Sequence, residues 1–281
     1  MTRGSVLGAA LTCSLLVLAG AASAKDWKSV VIGMEGAYDP YNLTDPSGKI
    51  VGFEPDVAMD VCARLKVECK IIAQDWDGMI PGLEAGKFDV IMDGMSITDE
   101  RKKQIDFSAP YADVAAALAT AKASPLAKLA GAGTLINFDK DKAGGAATLK
   151  ALRDALKGKT IGVQVSTTHA TFAGNHLKDV ATVKEYKTTD ERDLDLKSGR
   201  IDAVLDDETE IMAMLGKDDA KDFAEFGPRL TGGDFGIGVG MGIRKADADL
   251  TAKFNGAIKA AFADGSIKKY SLKWFKIDTT P

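Results

Sequence analysis

The sequence predicts an α/β protein built as two lobes. Three observations carry that expectation. Strand-like β-branched runs alternate with helical patterns from Lys25 onward, which argues for layered α/β architecture. The series occurs twice, split over 124–146 where Gly, Ala, Lys and Asp break the periodicity. The chain then ends in a strand pattern and helices free to return to the first series. A chain of 281 residues, 46% hydrophobic and 27% charged, has ordinary globular composition and room for two lobes of ~120 residues each. Its 36 basic and 40 acidic residues are interspersed at a net charge of −4, which excludes nucleic-acid and anionic-membrane binders.

The first 24 residues read as a signal peptide rather than as part of the fold. Arg3 supplies the positive start, 6–20 is largely apolar, and Ala22-Ser23-Ala24 sets the cleavage site after Ala24. Such a run is short of the ~20 residues that span a bilayer, and no later segment is apolar for that length. The expectation is an exported protein without membrane insertion. A lipoprotein would need a small-residue box before Cys13, and Ala10-Leu11-Thr12 is a poor one. Cys62 and Cys69 then remain in the mature chain, and an even count after export reads as a disulfide. So short a loop would stabilise by roughly 2 kcal/mol. Two free buried thiols are the alternative. A metal pair is disfavoured because the only histidines, His169 and His176, are distant in sequence.

In order, the first lobe begins with a strand over Ser29–Met34, then a Tyr/Asp/Pro/Asn/Gly-rich loop to Val51. Pro55, Val57, Ala58, Val61, Cys62 and Leu65 fall at helical spacing. A strand follows over 68–74, a short helix over 79–85, and a buried strand over 88–92. Ser96-Ile97-Thr98-Asp99 caps a helix running through Arg101 to Gln104. After the excursion, helix 147–156 leads to strands over 160–164, 182–185 and 201–205, with helices starting at Thr167, Glu191 and Glu208. A glycine-alternating strand over 235–244 and helices over 250–263 and 267–275 finish the chain.

Several chemical motifs start and then fail. Lys157-Gly158-Lys159-Thr160 ends like a phosphate loop, but Arg153 sits where the first glycine belongs. Asp139-Lys140-Asp141 opens like a calcium loop, but Ala143 and Lys150 occupy ligand positions. Gly94-Met95-Ser96-Ile97-Thr98 lacks the last glycine of a nucleophile elbow. No nucleophile signature accompanies His169 or His176. Neither a catalytic residue, a cofactor nor a metal is expected.

Three other stretches point one way. They are Glu35-Gly36-Ala37-Tyr38-Asp39-Pro40-Tyr41; Val51-Gly52-Phe53-Glu54-Pro55-Asp56-Val57; and Met92-Asp93-Gly94-Met95-Ser96-Ile97-Thr98-Asp99-Glu100-Arg101 running on to Asp106-Phe107-Ser108. With Ile161-Gly162-Val163-Gln164 and Gly199-Arg200-Ile201-Asp202-Ala203, they resemble the periplasmic polar amino-acid binding proteins of ABC importers over residues 25–281. The Cys62/Cys69 pair is similar to the disulfide of the lysine/arginine/ornithine and histidine binders. The excursion over 124–150 and the ending Ser271-Leu272-Lys273-Trp274-Phe275-Lys276 look closer to the nopaline- and octopine-binding branch.

That resemblance implies a type II periplasmic binding protein, each lobe a mixed sheet flanked by helices. Lobe 1 would hold 25–112 plus 239–281 and lobe 2 would hold 113–238. Hinge strands near 112–115 and 235–238 would let the lobes close over a ligand. Arg101 would clamp an α-carboxylate with two parallel bonds. Ser96, Thr167 and Thr168, with N–H groups at a helix start, would complete that site. Asp207 would take the α-ammonium, Tyr38 and Trp76 would sandwich the side chain, and Glu35 would pair with its positive end. Gly94, Met95 and Val165 would line the same pocket, Val165 in place of a usual glycine. Asp93 stands where basic amino-acid binders usually carry Ser and adds a second acid.

Each of these also has an ordinary reading. Arg101 sits in Asp99-Glu100-Arg101-Lys102-Lys103 and would pass for a solvated helix charge. Trp76 and Tyr38 would serve as core or strand-end cover, and an acid after a strand is usually surface. The coincidence of acids, an Arg and aromatics at strand C-terminal ends, where open α/β sheets bind ligands, favours the cleft. Glu35, Asp93 and Asp207 together favour a cationic ligand: arginine first, then ornithine, lysine or an opine such as octopine. The expected protein is a periplasmic monomer that delivers its ligand to an inner-membrane ABC permease. The rivals are a partner that is a membrane sensor, and an exported cyclohexadienyl-dehydratase-like enzyme with Glu208 or His169 as general acid.

Overall fold

A computed structural model describes Met1 and residues 25–281; the expected signal peptide lies outside the described residues. The chain opens with β1 (Ser29–Met34), whose VVIGM run is nearly continuously buried because a central parallel strand is covered on both faces. The polar stretch expected as a loop contains a small three-stranded sheet, β2 (Ala37–Tyr38), β3 (Asn42–Thr44) and β4 (Ile50–Val51). Helix α1 (Phe53–Leu65) turns Phe53, Val57, Ala58, Val61 and Cys62 inward and stops at Lys66 in the left-handed region. A Cys62–Cys69 disulfide ties its end to β5 (Glu68–Ala73). Then come α2 (Met79–Glu84), β6 (Val90–Ile91), α3 (Asp99–Gln104) and β7 (Asp106–Phe107).

The second sheet begins with β8 (Ala116–Ala121) and continues through β9 (Leu135–Asn137), α4 (Lys142–Ala155), β10 (Thr160–Gln164) and α5 (Thr168–His176). It is completed by β11 (Thr182–Tyr186), α6 (Thr189–Lys197), β12 (Ala203–Asp207), α7 (Glu208–Leu215) and β13 (Phe223–Thr231). The chain returns as β14 (Gly242–Ile243), α8 (Ala248–Ala263) and α9 (Ser266–Trp274).

Strand order is β5-β1-β6-β14-β7 in the first large sheet and β11-β10-β12-β8-β13-β9 in the second. Both are mixed. β1 runs parallel to β5 and β6 while β14 is antiparallel to β6 and β7. β10 runs parallel to β11 and β12, and β8 is antiparallel to β12 and β13. The chain passes between the sheets twice, through 108–115 and 232–241. The two crossings lie side by side, with Val239 N donating to Ala112 O at 2.8 Å and Tyr111 N to Val239 O at 2.9 Å. Each sheet carries its own apolar core, one around Ile32, Phe53, Phe254 and Phe275, the other around Leu152, Val163, Phe172 and Leu205.

Beyond the small sheet, the structure departs from the expected elements in further places. The glycine-alternating stretch 235–244 is not one strand, and only Gly242–Ile243 pairs. Gly236 (φ 82°) and Gly238 (φ 98°) leave the extended region, and a Cβ on Gly236 would meet Ile97 O at 2.3 Å. The glycines do serve close backbone approach, but in a crossing rather than a ladder. The 124–146 excursion is not a detached surface segment. β9 pairs with β13, and α4 starts at Lys142, five residues early, because the Asp141 side chain caps it by accepting from Gly144 N at 2.8 Å. Besides β9, two further strands of the second sheet, β8 and β13, were not expected. β8 is almost all Ala, a weak strand former that works here only because central burial decides. β13 contains Gly227-Pro228, which reads as a breaker and is accommodated by a register shift between Phe226 and Leu230.

Candidate functional site

The C-terminal ends of both sheets face a shared cavity. From the first sheet come Glu35 after β1, Tyr38 on β2, Trp76 after β5, Asp93, Gly94 and Ser96 after β6, and Arg101 on α3. From the second come Gln164 at the end of β10, Thr167, Thr168 and His169 at the start of α5, and Asp207 at the end of β12. Contacts across the cleft draw the two sides together. Tyr38 Oη donates to Asp206 Oδ1 at 2.8 Å and Asp207 Oδ2 at 3.0 Å. Trp76 Nε1 donates to Val165 O at 2.9 Å, and at the rim Lys187 Nζ meets Asp75 Oδ2 at 2.6 Å.

Arg101 is aimed by local structure. Thr98 caps α3 by accepting Arg101 N at 3.2 Å, which turns the third residue of a one-and-a-half-turn helix toward the cleft. Its guanidinium donates Nη1 to Ser96 O at 2.9 Å and Nη2 to Ser166 O at 3.2 Å, and lies 5.3 Å from the Trp76 ring centre. Burial lowers its pKa to about 10, so it stays cationic at neutral pH. It is the cation that an anionic group in the cavity would meet, with Nη2 shared across the cleft.

Acids dominate the remainder. The Glu35 carboxylate accepts Gln164 Nε2 from the other side at 3.0 and 3.1 Å. Asp93 Oδ1 accepts Glu35 N at 3.0 Å and Asn42 Nδ2 at 2.7 Å, while Oδ2 is buried with no hydrogen-bond partner among the described residues. Behind it Glu54 accepts Asn42 Nδ2 and Gly94 N, each at 2.7 Å, and the Tyr111 hydroxyl. Burial pushes Glu35 and Glu54 up to about 7. Burial, with Glu35 and Glu54 alongside, holds Asp93 well above the usual carboxylate range.

On the opposite wall Asp207 Oδ1 is 3.3 Å from His169 Nε2, and Asp206 Oδ1 is 3.8 Å from His169 Nδ1. Although Asp207 Oδ1 is close, the angle is poor, and His169 Nε2 is without a well-formed hydrogen bond among the described residues. Behind them the fully buried Arg192 joins Asp206, Asp193 and Glu210.

Of the expected cleft residues, Met95 and Val165 stand outside the cavity lining. The Met95 side chain is buried among Met79, Leu83 and Ile97, and Val165 offers only backbone, its N–H to Tyr186 O and its carbonyl to Trp76. The left-handed backbone that would call for glycine falls one residue later, at Ser166 (φ 61°). Tyr38 packs on Tyr41, ring centres 4.9 Å apart and 7° from parallel, and its hydroxyl faces acids. Gly94 makes that placement possible, since a Cβ there would lie 2.6 Å from Tyr38 Cε1 at φ 56°. Thr167 spends its hydroxyl on Gln164 O and Ala170 N, so its role is to cap α5. Gln164 was not expected in the cavity, and His169 was expected there only as a general acid of the rival enzyme. Gln164 stood inside a quoted motif, and a polar residue ending a buried strand was the available signal.

Two α/β lobes joined by two crossings and closed over a charged cleft define a cleft-type solute-binding protein. The chain belongs to the bacterial extracellular solute-binding proteins, family 3, whose model matches residues 30–277. It is 41% identical to the octopine-binding periplasmic protein of Rhizobium meliloti, over 96% of this chain and 98% of that one. It is 36% identical to the L-arginine-binding protein of Pseudomonas aeruginosa, over 99% and 98%. Among solved structures, an ancestral arginine-binding protein bound to arginine superposes with a TM-score of 0.74 at 32% identity, covering 88% of this chain and 98% of that one. These relatives are named as binding proteins. Among the described residues no helix is long and apolar enough to cross a membrane.

Proposed function

We propose that the chain is a periplasmic receptor for arginine, which it captures by lobe closure and hands to an ABC permease. The observation that carries this is the charge pattern of the cavity. Glu35, Asp93 and Asp207 line it with Arg101, so the complementary ligand has two positive ends and one negative end. Arg101 takes the α-carboxylate, Asp207 the α-ammonium, and Glu35 with Asp93 the guanidinium. Trp76, with its indole fixed to Val165 O, flanks the aliphatic stem. Closure about the two crossings places Gln164, Val165 and Ser166 of one lobe against Glu35, Trp76 and Arg101 of the other.

A second reading is octopine, an arginine derivative with a further carboxylate on its α-nitrogen. His169 supports it, since a ring nitrogen in the cavity wall beside Asp207 is placed to donate to such a group. The kinship to an octopine binder supports it as well. Of the two general acids a dehydratase-like reading could use, Glu208 stands outside the cavity lining, ion-paired with Arg229, and His169 lines it. That reading therefore rests on His169 alone and is tested by turnover of prephenate or arogenate.

The test is calorimetric titration of the mature protein, unfolded and refolded to remove carried ligand, with arginine, ornithine, lysine, histidine, glutamate, octopine and nopaline. The proposal expects arginine tightest; octopine tightest would transfer the assignment to the second reading. Glutamate or histidine binding as tightly as arginine would contradict the charge argument.

A further inference from the structure

Gln164 carries an amide oxygen that the assignment above does not use. It ends β10, it is 3% exposed, and it lines the cavity from the lobe opposite Glu35. Its amide orientation is fixed by chemistry rather than by choice. The three atoms near Nε2 are Glu35 Oε1, Glu35 Oε2 and Lys187 O, at 3.0, 3.1 and 3.0 Å. All three are acceptors, so the NH2 group must face them and the carbonyl oxygen must face away. Among the described residues no hydrogen bond is formed by that Oε1. The closed cleft therefore sets the Gln164 amide against the Glu35 carboxylate and leaves its oxygen without a partner, in a cavity that Asp93 also lines.

We infer that Gln164 is a specificity-determining residue, whose Oε1 accepts one arm of a guanidinium while Glu35 accepts the other. This rests on the reading of the ligand as arginine or an arginine derivative. A guanidinium is a flat fork with five donors, able to meet two acceptors on different lobes at once. A lysine ammonium is a single nitrogen that ends one atom short of the guanidinium nitrogens. It offers its three donors from one point, so it meets both acceptors only where both lie within hydrogen-bond reach of that point. Gln164 thereby ties the reading of the side chain to closure, because its oxygen arrives only with the second lobe. Discrimination against lysine comes from the second contact that a guanidinium makes across the two lobes.

The experiment measures arginine and lysine affinities of the refolded wild-type protein and of Gln164→Met and Gln164→Asn. Methionine keeps the length and apolar stem; asparagine keeps the amide and withdraws it. The wild type is expected to prefer arginine by about tenfold or more. Both variants are expected to lose about tenfold in arginine affinity and no more than about threefold in lysine affinity, so the ratio collapses. Equal losses for both ligands, or an unchanged ratio in either variant, would overturn the inference while leaving the arginine assignment standing. Should Gln164→Met not fold, Gln164→Asn and the wild-type ratio decide alone. A wild type that binds no guanidinium ligand, octopine included, removes the functional reading and this inference with it.

Discussion

Both lobes bury carboxylates against the cleft, and they neutralise them in opposite ways. In the second lobe Asp206, Asp193 and Glu210 surround Arg192, which is fully buried and donates to all three. Burial raises both Asp206 and Glu210. At Asp206, Arg192 and His169 outweigh it and hold that carboxyl below its usual range. At Glu210 burial, with Asp193 and Asp206 alongside, wins over Arg192 and holds the carboxyl well above. In the first lobe Glu35, Asp93 and Glu54 have, among the described residues, only neutral partners: Gln164, Asn42, Tyr111 and the N–H groups of Glu35 and Gly94. Burial therefore pushes Glu35 and Glu54 up to about 7 and Asp93 well above its usual range. An acid cluster with its own cation is a structural part. One without a cation has its charge completed from outside, by protons when free and by the ligand's positive end when bound.

The comparison breaks most severely at Arg192. Replacing it with Met strands three buried acids, and is expected to cost about 3–5 kcal/mol in urea unfolding of the ligand-free protein. A loss below about 1 kcal/mol would mean that the second lobe does not depend on its internal cation. Glu35→Gln probes the other lobe and should behave in the opposite sense. Arginine affinity is expected to fall by about thirtyfold, since a charge-assisted contact is lost. The ligand-free melting temperature at pH 7.5 should hold or rise, because a buried acid has been replaced by a neutral isostere.

Proton linkage sharpens the contrast further. Glu35 and Glu54 have folded-state pKa values near 7, above the 4.5 of an ordinary glutamate. The folded protein thus binds more protons than the unfolded chain between those values. Their contribution to stability is full below about pH 4.5 and is lost as pH rises through about 7. Arginine affinity should run the other way, rising from pH 6 to pH 8 as the carboxylates ionise. A flat affinity profile in Glu35→Gln together with a sloped wild type would assign the effect. The smallest expected change is at the rim. Lys187→Ala removes the exposed pair to Asp75 and should shift stability by about 0.5 kcal/mol or less, an effect erased by added salt.

What the sequence made legible follows the same division. Strand ends and caps were readable because they depend on neighbours in the chain: β1, β10, β12 and the Thr98 cap all stand close to where the pattern put them. The cavity acids and Arg101 were readable from motifs that keep their order. β8 was not, since an Ala run becomes a strand only between β12 and β13. Nor was Gln164, whose partners Glu35 and Lys187 lie far away in sequence and meet it only when the lobes close. Arg192 sits in an acidic helix that reads as solvated, and its burial is decided by Asp206 and Glu210 on other elements.

The most direct test of the contrast is to count protons. Arginine is titrated calorimetrically into the refolded protein at pH 7 in phosphate and in Tris, two buffers with very different ionisation heats. The account predicts that binding releases protons, with apparent enthalpies that differ between buffers, and that the release shrinks in Glu35→Gln. Tight arginine binding with identical enthalpies in both buffers would contradict it, because the first-lobe acids would then be charged before the ligand arrives.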